Sequence, residues 1–284
     1  MNDIYEKLEQ INIIQLYSTF DHNREIKRFI GEKGKEHHEN GDEEKAKICQ
    51  IEIDTLNFTT KSDTISYTFA GTDSEGNPFE YPNIKLFKDE DFVYLIKRLS
   101  ETKNEYLKAR YSHILWHSPK KHLDYAKTAS ESYLEIAKIL YQEIDESDRK
   151  SLGIHLINTL ENAVLISSKL RNKLIFESAK SFLLQVVSNF SHKDRLHVNT
   201  NLLFFMLNQK KLFKRDDFQG LETEIYKIAQ GEDDFGKIDI LQLGKKVDKK
   251  LGNNDQYWNK EIAECYESMS YKREDDTNLA STQF

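Results

Sequence analysis

Apolar residues recur three or four positions apart along most of this chain, which is the spacing of one face of an α-helix. The pattern is clearest between residues 105 and 141. It predicts two helices that pack against each other around a break at Ser118 and Pro119, since Ser caps helices and Pro is tolerated at the first helical position. This hairpin is the part of the chain around which the rest is expected to pack.

Large and small side chains alternate between the two predicted helices of the hairpin. We expect Trp116 and Tyr111 to fill the space that the small residues leave, with Tyr133 in the apolar stripe of the second helix and Pro119 at the turn. Arg110, in the middle of the first helix, is expected to pair with a carboxylate such as Asp124 or Glu131 and so to hold the hairpin together.

Similar apolar stripes predict helices over most of the remaining chain. Residues 1–48 and 89–99 have a helical pattern, whereas residues 48–58 are ambiguous between a short strand and a helical turn. Further stripes lie at residues 154–165, 174–190, 194–207, 217–229, 238–251 and 256–272. Successive pairs recur at roughly 40 to 50 residues, which predicts a mainly α protein built as an α-solenoid of stacked, tetratricopeptide-like hairpins.

Strand character is concentrated in residues 64–87. Residues 64–70 alternate and are rich in β-branched and aromatic side chains, residues 71–78 are typical of a loop, and Pro82 restricts the last part of this segment to a short or edge strand. We therefore expect a small β-hairpin or an extended strap there.

These elements suggest three parts: an N-terminal helical segment with the strap (1–88), a helical repeat domain (89–275) and a flexible tail (276–284). The last predicted helix has the spacing of the first member of a pair, and no apolar stripe for a second member follows it. We expect this open face to be covered by another subunit or by a further C-terminal region of the same protein.

Composition favours long amphipathic helices. The chain has 284 residues, of which 31% are charged and only 3 are Pro and 11 Gly, which disfavours Gly-rich phosphate loops. The net charge of −7 gives no overall attraction to nucleic acid, although a local basic face could still bind it. The two Cys residues lack metal-site spacing and fit a cytoplasmic protein, no apolar run is long enough for a membrane span, and no cofactor is expected.

The hairpin also carries a family resemblance. Its first helix has the pattern L-x-A-R-x-x-x-x-L-W, and its second has A-x-x-A-x-x-x-Y-L; the matching residues are Leu107, Ala109, Arg110, Leu115, Trp116, Ala126, Ala129, Tyr133 and Leu134. Over residues 85–275 the chain resembles an uncharacterised bacterial helical family. The resemblance implies that longer members carry a C-terminal HEPN-like domain and occur near phage-defence genes. The Arg–His spacing of HEPN ribonucleases is matched neither from Arg110 nor from Arg171, so no catalytic residue carries over.

Histidines of the hairpin are the candidate metal ligands. His113 and His117 are four residues apart, and such a pair on one helix can share a metal ion. The Glu that a hydrolytic H-E-x-x-H motif requires does not follow His113. The pair is therefore more typical of packing histidines than of a hydrolase, and we expect no metal.

Two basic clusters are candidates for binding an anion or a partner. Lys120, Lys121 and His122 stand where the second hairpin helix is predicted to begin, where free N–H groups favour an anion. The other cluster flanks Phe213 and consists of Lys210, Lys211, Lys214 and Arg215. Aromatic and basic residues in alternation can bind nucleic acid, but lysines at this point can equally support a helix C-terminus.

The sequence contains no nucleophile motif and no phosphate loop. The favoured function is a non-catalytic scaffold for protein–protein interaction, as the N-terminal part or a subunit of a bacterial, phage-defence assembly. The alternative is a nucleic-acid-binding subunit of a HEPN-type ribonuclease system.

Overall fold

The computed structural model describes residues 1–18, 20–58, 87–143, 149–170, 172–188 and 256–281, together with scattered positions between 206 and 254. Every regular element in these residues is an α-helix, which confirms the mainly α prediction. Residues 64–86 of the predicted strap lie outside the described residues, so the strap stays a prediction.

Ten helices have defined bounds within the described part of the chain. They are α1 (Asn2–Glu9), α2 (Ile13–Ser18), α3 (Phe20–Glu39), α4 (Glu43–Asn57), α5 (Asp91–Glu101), α6 (Glu105–His117), α7 (Leu123–Glu143), α8 (Arg149–Leu170), α9 (Lys173–Val187) and α10 (Gln256–Ser281). Helix α4 decides the ambiguity at residues 48–58 in favour of helix, and α10 continues into the tail predicted to be flexible.

The chain divides into two compact units, Met1–Leu183 and Leu184–Phe284. In the first unit α5, α6, α7 and α8 pack consecutively, and α3 packs against α4. Helix α2 also contacts α7 and α8, and α4 contacts α6, so the N-terminal helices belong to the same body as the hairpin. Among the described residues, none of the helices combines the length and the apolar composition that a membrane span needs.

Helix α6 is the central helix of the first unit. Nearly all its residues from Tyr106 to Trp116 are buried, because α4, α5 and α7 all pack against it. The buried set includes the polar residues Arg110, Ser112 and His113. Buried polar groups need hydrogen-bond partners, so the packing around α6 is specific as well as apolar.

A buried carboxylate joins α4, α5 and α6. Glu52 has no exposed surface. Its Oε1 accepts hydrogen bonds from Tyr94 Oη (2.5 Å) and Arg98 Nε (3.3 Å), and its Oε2 accepts one from Tyr111 Oη (2.7 Å). Burial raises the pKa of Glu52, while its hydrogen bonds to the two tyrosines and the positive charge of Arg98 act in the opposite direction. The three donors make this carboxylate the polar junction of the unit.

A second junction ties the end of α1 to the start of α6. The side chain of Asn104 caps α6 by accepting from the N–H groups of Tyr106 and Leu107. Its Nδ2 donates to the carbonyl oxygens of Glu9 (3.3 Å) and Ile11 (3.0 Å), and Glu9 Oε2 accepts from the Asn104 N–H. One side chain therefore satisfies the ends of two helices that are far apart in sequence.

In the second unit, a small apolar cluster surrounds Trp258. Its Nε1 donates to Asp248 Oδ2, and its ring lies so close to Gly244 that an added Cβ there would be 2.6 Å from ring carbons. The other members of the cluster are Ile238, Leu241, Ile262, Cys265 and Met269. Gly244 is therefore the residue that lets the indole approach this part of the chain.

Candidate anion-binding site

The turn between α6 and α7 differs from the one predicted. Helix α6 ends at His117, and Ser118 is extended (φ −74°, ψ 164°), as expected of a residue that precedes proline. Ser118 Oγ donates to Leu115 O (2.7 Å) and accepts from the Lys120 N–H (3.1 Å). Ser118 therefore ends the first helix instead of capping the second, which begins at Leu123.

This geometry places Lys120, Lys121 and His122 in the turn that precedes α7. All three are exposed. Lys121 folds back on the hairpin, with its Nζ 4.2 Å from the centroid of the Trp116 ring, a cation–π contact. His122 Nδ1 accepts from the N–H of Asp124 (3.2 Å). Lys121 is therefore held against α6, while the His122 ring lies edge-on to Tyr125 of α7, with centroids 6.2 Å apart.

The two candidate metal-binding histidines do lie together, with ring centroids 5.2 Å apart. His113 is buried, and its Nδ1 is 2.9 Å from Tyr133 Oη, so this nitrogen is already in a hydrogen bond. The edge of Phe58 packs on the same imidazole. Within the described residues, no three His, Cys, Asp or Glu side chains are grouped so that they could hold a metal ion.

His117, in contrast, lies among positive charges. Its pKa is lowered to about 4, first by burial and then by the charges of Lys169 and Lys121. Lys169 is in the last turn of α8 and is exposed, yet neighbouring protein atoms and Lys121 lower its pKa as well. We call His117, Lys121, Lys169 and the adjoining Trp116 ring the cationic cluster.

Described carboxylates do not compensate this cluster. The charges that act on His117 and Lys169 are all positive. Elsewhere in the first unit lysines lie beside carboxylates, as Lys138 does beside Glu135 (2.5 Å) and Lys108 beside Glu105 (2.6 Å). Like charges held together raise the free energy of the empty site, and a bound anion removes that cost.

The cluster is suited to binding rather than to bond-making chemistry. At pH 7 it presents two ammonium groups and a neutral imidazole, since the pKa of His117 lies near 4. The long helix α7 begins directly after the turn, and the positive end of its dipole adds to the potential there. These groups can bind and orient a negatively charged ligand.

The described contacts of Arg110 join α6 to the end of α4, so the prediction that it pairs with a carboxylate of the second hairpin helix is wrong. Its Nη1 donates to the carbonyl oxygen of Phe58, and its guanidinium lies 5.1 Å from the centroid of the Tyr106 ring. The carboxylates predicted to pair with it lie elsewhere: Asp124 is 3.2 Å from His122 Nδ1, and Glu131 is 3.9 Å from Lys127 Nζ.

The second basic cluster (Lys210, Lys211, Lys214 and Arg215) lies outside the described residues. Its predicted role stays a prediction. Lys169, by comparison, is a site residue that the sequence pattern does not indicate. A lysine in the last turn of a helix is ordinary, because it complements the helix dipole, and nothing local marks it as part of a cluster.

Comparisons with known proteins place the cluster within a recognised type of domain but assign no role to it. A family model described as a domain of unknown function, DUF7380, matches residues 5–174. That span includes α2 to α8 and the whole cationic cluster. Neither the curated proteins nor the solved structures give a match to this chain.

Proposed function

Since the chain belongs to the DUF7380 family, whose description assigns no function, we propose one from the geometry: it is a non-catalytic helical scaffold that binds an acidic segment of a protein partner. The cationic cluster is the observation that carries this proposal. Lys121 lies over the Trp116 ring, the positive charge of Lys169 acts on the neighbouring His117, and no described carboxylate pairs with either lysine. A carboxylate or another anion from a partner would supply the missing charge.

The rest of the first unit supports a scaffold. Helices α5 to α8 pack consecutively, as in stacked helical hairpins, and we propose that they form the solenoid-like framework indicated by the sequence. The buried junction at Glu52 fixes α4, α5 and α6 relative to one another. A rigid framework reduces the ordering cost of binding, because the cationic side chains are attached to elements that are already fixed.

The biological setting rests on the resemblance in the hairpin. The motif from Leu107 to Trp116 supports a place in a bacterial, cytoplasmic phage-defence assembly, as a subunit or as the N-terminal part of a longer chain with a HEPN-like domain. The net charge of −7 favours an acidic protein segment over nucleic acid as the ligand. The long-range field of the chain repels a polyanion, whereas a short acidic segment interacts mainly with the nearby positive charges.

Binding of a fluorescein-labelled hexaglutamate peptide, followed by fluorescence anisotropy, tests the proposal. The test variant carries Lys121→Glu and Lys169→Glu, and the control carries Lys127→Glu and Lys138→Glu, which are exposed lysines on the adjoining helix α7. We expect the test variant to lose at least about tenfold in affinity at low ionic strength and the control to lose much less. Equal losses in the two variants would refute a specific site.

The salt dependence of binding distinguishes the alternative function, a nucleic-acid-binding subunit, from the proposed one. Neutralising several phosphates makes affinity fall steeply with salt concentration, so binding of a labelled single-stranded oligonucleotide with a steep salt slope would favour it. A short acidic peptide at a site of two ammonium groups should show a much shallower dependence.

A further inference from the structure

The carboxylate of Glu9 occupies an anion-binding position at the start of α6. Its Oε2 accepts hydrogen bonds from two successive backbone N–H groups, those of Lys103 (3.0 Å) and Asn104 (3.2 Å). Asn104 caps α6, a helix of 13 residues, so both N–H groups lie at the positive end of the helix dipole. Backbone N–H groups at such an end bind anions readily. In this structure the chain itself supplies the anion.

A buried guanidinium lies on the other side of the same carboxylate. Arg98 is 3% exposed, and its Nη2 lies 3.6 Å from Glu9 Oε1, which is beyond the range of a hydrogen bond. Within the described residues, both of these atoms are buried and neither has a hydrogen-bond partner. The Nε and Nη1 atoms of Arg98, in contrast, donate to Glu52 and Glu101. One donor of a buried side chain is therefore directed at the anion-binding position and is left unused.

Arg98 is held in this position in the absence of any ligand. The ring of Tyr5 packs on the guanidinium, with 4.1 Å between the ring centroid and Cζ. The hydrogen bond to the fully buried Glu52 fixes Nε. An anion that binds here meets donors whose positions the fold has already set, and this lowers the ordering cost of binding.

Glu9 satisfies this set of donors only in part. One carboxylate oxygen accepts from both N–H groups, while the other makes no hydrogen bond to Arg98. A carboxylate has two oxygens in one plane, whereas a phosphate group presents at least three acceptor oxygens around a tetrahedral centre. One of those oxygens can bond to Nη2 while another stays on the N–H groups, and guanidinium groups are frequent partners of phosphate. The donor set therefore suits phosphate better than the carboxylate that occupies it.

The Glu9 side chain can leave while α1 stays in place. It is 32% exposed, so a rotation carries the carboxylate into water. Helix α1 remains held by the fully buried Ile4 and Leu8, and by the hydrogen bonds of Asn104 Nδ2 to the carbonyl oxygens of Glu9 and Ile11. The dipole of α1 also disfavours a carboxylate at its C-terminal end. Exchange of this carboxylate for an external anion therefore changes one side chain and not the fold.

We propose that Arg98 Nη2 and the N–H groups of Lys103 and Asn104 form a binding site for a phosphate group, and that Glu9 closes this site in the free protein. We call these four residues the α6 anion site. Phosphate and the Glu9 carboxylate compete for the same donors, so binding displaces the Glu9 side chain. The site lies at the end of α6 opposite the cationic cluster, and the inference is independent of the proposed function.

A ¹H–¹⁵N NMR titration of the full chain with inorganic phosphate tests the inference, with sodium chloride at the same ionic strength as the control. We expect the backbone amide signals of Lys103 and Asn104 to shift and to saturate. The amides of Tyr106 and Leu107 should shift much less, because the Asn104 side chain already accepts from them. Equal shifts at all four amides, or the same shifts with chloride, would indicate a general salt effect and overturn the inference.

Removing the competing carboxylate should strengthen binding. Glu9→Gln keeps the length of the side chain and removes its charge, so we expect phosphate to bind at least about tenfold tighter than to the parent chain. Glu6→Gln is the matched control, since it removes an exposed carboxylate from the same helix. If the two variants bind phosphate equally, Glu9 does not close the site and the inference fails.

Two further measurements define the site and its ligand. The guanidinium ¹⁵N signals of Arg98 report its part without a substitution, and unchanged signals at saturation would remove Arg98 from the site and overturn the inference. Methyl phosphate distinguishes the two sources of the phosphate group. Binding as tight as that of inorganic phosphate supports a phosphate monoester as the ligand, and binding at least about tenfold weaker supports free phosphate. None of these measurements involves Lys121 or Lys169, so their failure leaves the proposed function standing.

Discussion

Glu52 offers the sharpest test of what holds the first unit together. Replacing it with Ala removes the acceptor of three donors, those of the half-buried Tyr94 and of the buried Arg98 and Tyr111. Breaking a buried ion pair by removing one partner typically costs about 3–5 kcal/mol, because the other charge stays buried. The Arg98 guanidinium keeps two other carboxylates, with its Nη1 3.2 Å from Glu101 Oε2 and its Nη2 3.6 Å from Glu9 Oε1. We therefore expect a loss of about 3 kcal/mol, at the low end of that range.

The matched control removes a different carboxylate, that of Glu101, from the same guanidinium. The Glu101 side chain is 44% exposed, and exposed pairs contribute about 0–1 kcal/mol, so Glu101→Ala should have a small effect. Glu52→Gln keeps the shape and one acceptor oxygen, and we expect it to recover about half of the loss.

Urea unfolding measures these differences in one unit at a time. In a Trp258→Phe background, Trp116 on α6 is the remaining tryptophan, and its emission reports the first unit. With a slope of roughly 2 kcal/mol per molar urea, the Glu52→Ala midpoint should fall by about 1.5 M. A shift no larger than that of Glu101→Ala would refute the view that the buried carboxylate organises α4, α5 and α6.

Three further predictions concern single side chains. The pKa of His117 is lowered from 6.5 to about 4, so the unfolded state binds more protons than the folded state between these pH values. The first unit should therefore lose stability as pH falls through this window, by at most about 1.4 kcal/mol per pH unit from this residue. In the His117→Gln variant, the urea midpoint should depend less on pH. Tyr133→Phe removes the hydroxyl from the buried Nδ1 of His113 and should cost about 1–2 kcal/mol by the same assay, whereas an unchanged midpoint would mean that the hydrogen bond is not formed in solution. Gly244→Ala places a Cβ 2.6 Å from the Trp258 ring and should destabilise the second unit by about 1–3 kcal/mol, seen as earlier unfolding of Trp258 emission; a variant as stable as the parent would contradict this packing.

Much of the helical content can be predicted because it follows from periodicity. The hairpin of α6 and α7 is an example, since both helices bury their apolar residues as the pattern requires. Helix α4 is ambiguous in the sequence for a physical reason. It packs against α3 and against α6, so Ile51, Glu52 and Thr55 are all buried and the amphipathic period is blurred.

The prediction for the turn after α6 is wrong because two rules about proline compete. Pro119 is acceptable at a helix start, but it also forces Ser118 into an extended conformation. In the structure the second effect decides the geometry, and the Ser118 hydroxyl bonds back to Leu115. Local sequence does not indicate which rule prevails, because that depends on how α7 packs.

The candidate site is predictable only in part. Lys121 is marked by its basic neighbours in sequence, but the charge of Lys169 acts on His117 only because α8 packs against α7. The same holds for Glu52, whose hydrogen-bond partners lie on two later helices. Periodicity identifies the buried face of each helix, whereas these contacts depend on which helices meet.

The junction at Asn104 has a consequence for synthesis on the ribosome. The end of α1 is secured by the side chain of Asn104, which is synthesised about 95 residues later. At a translation rate of about 5–20 residues per second, this is a delay of roughly 5–20 s. During that interval the carbonyl groups of Glu9 and Ile11 have only water as a partner in place of Asn104. The nascent first helix must therefore wait for α6 to emerge, and a pause in translation before residue 104 would prolong its exposure to proteases and chaperones.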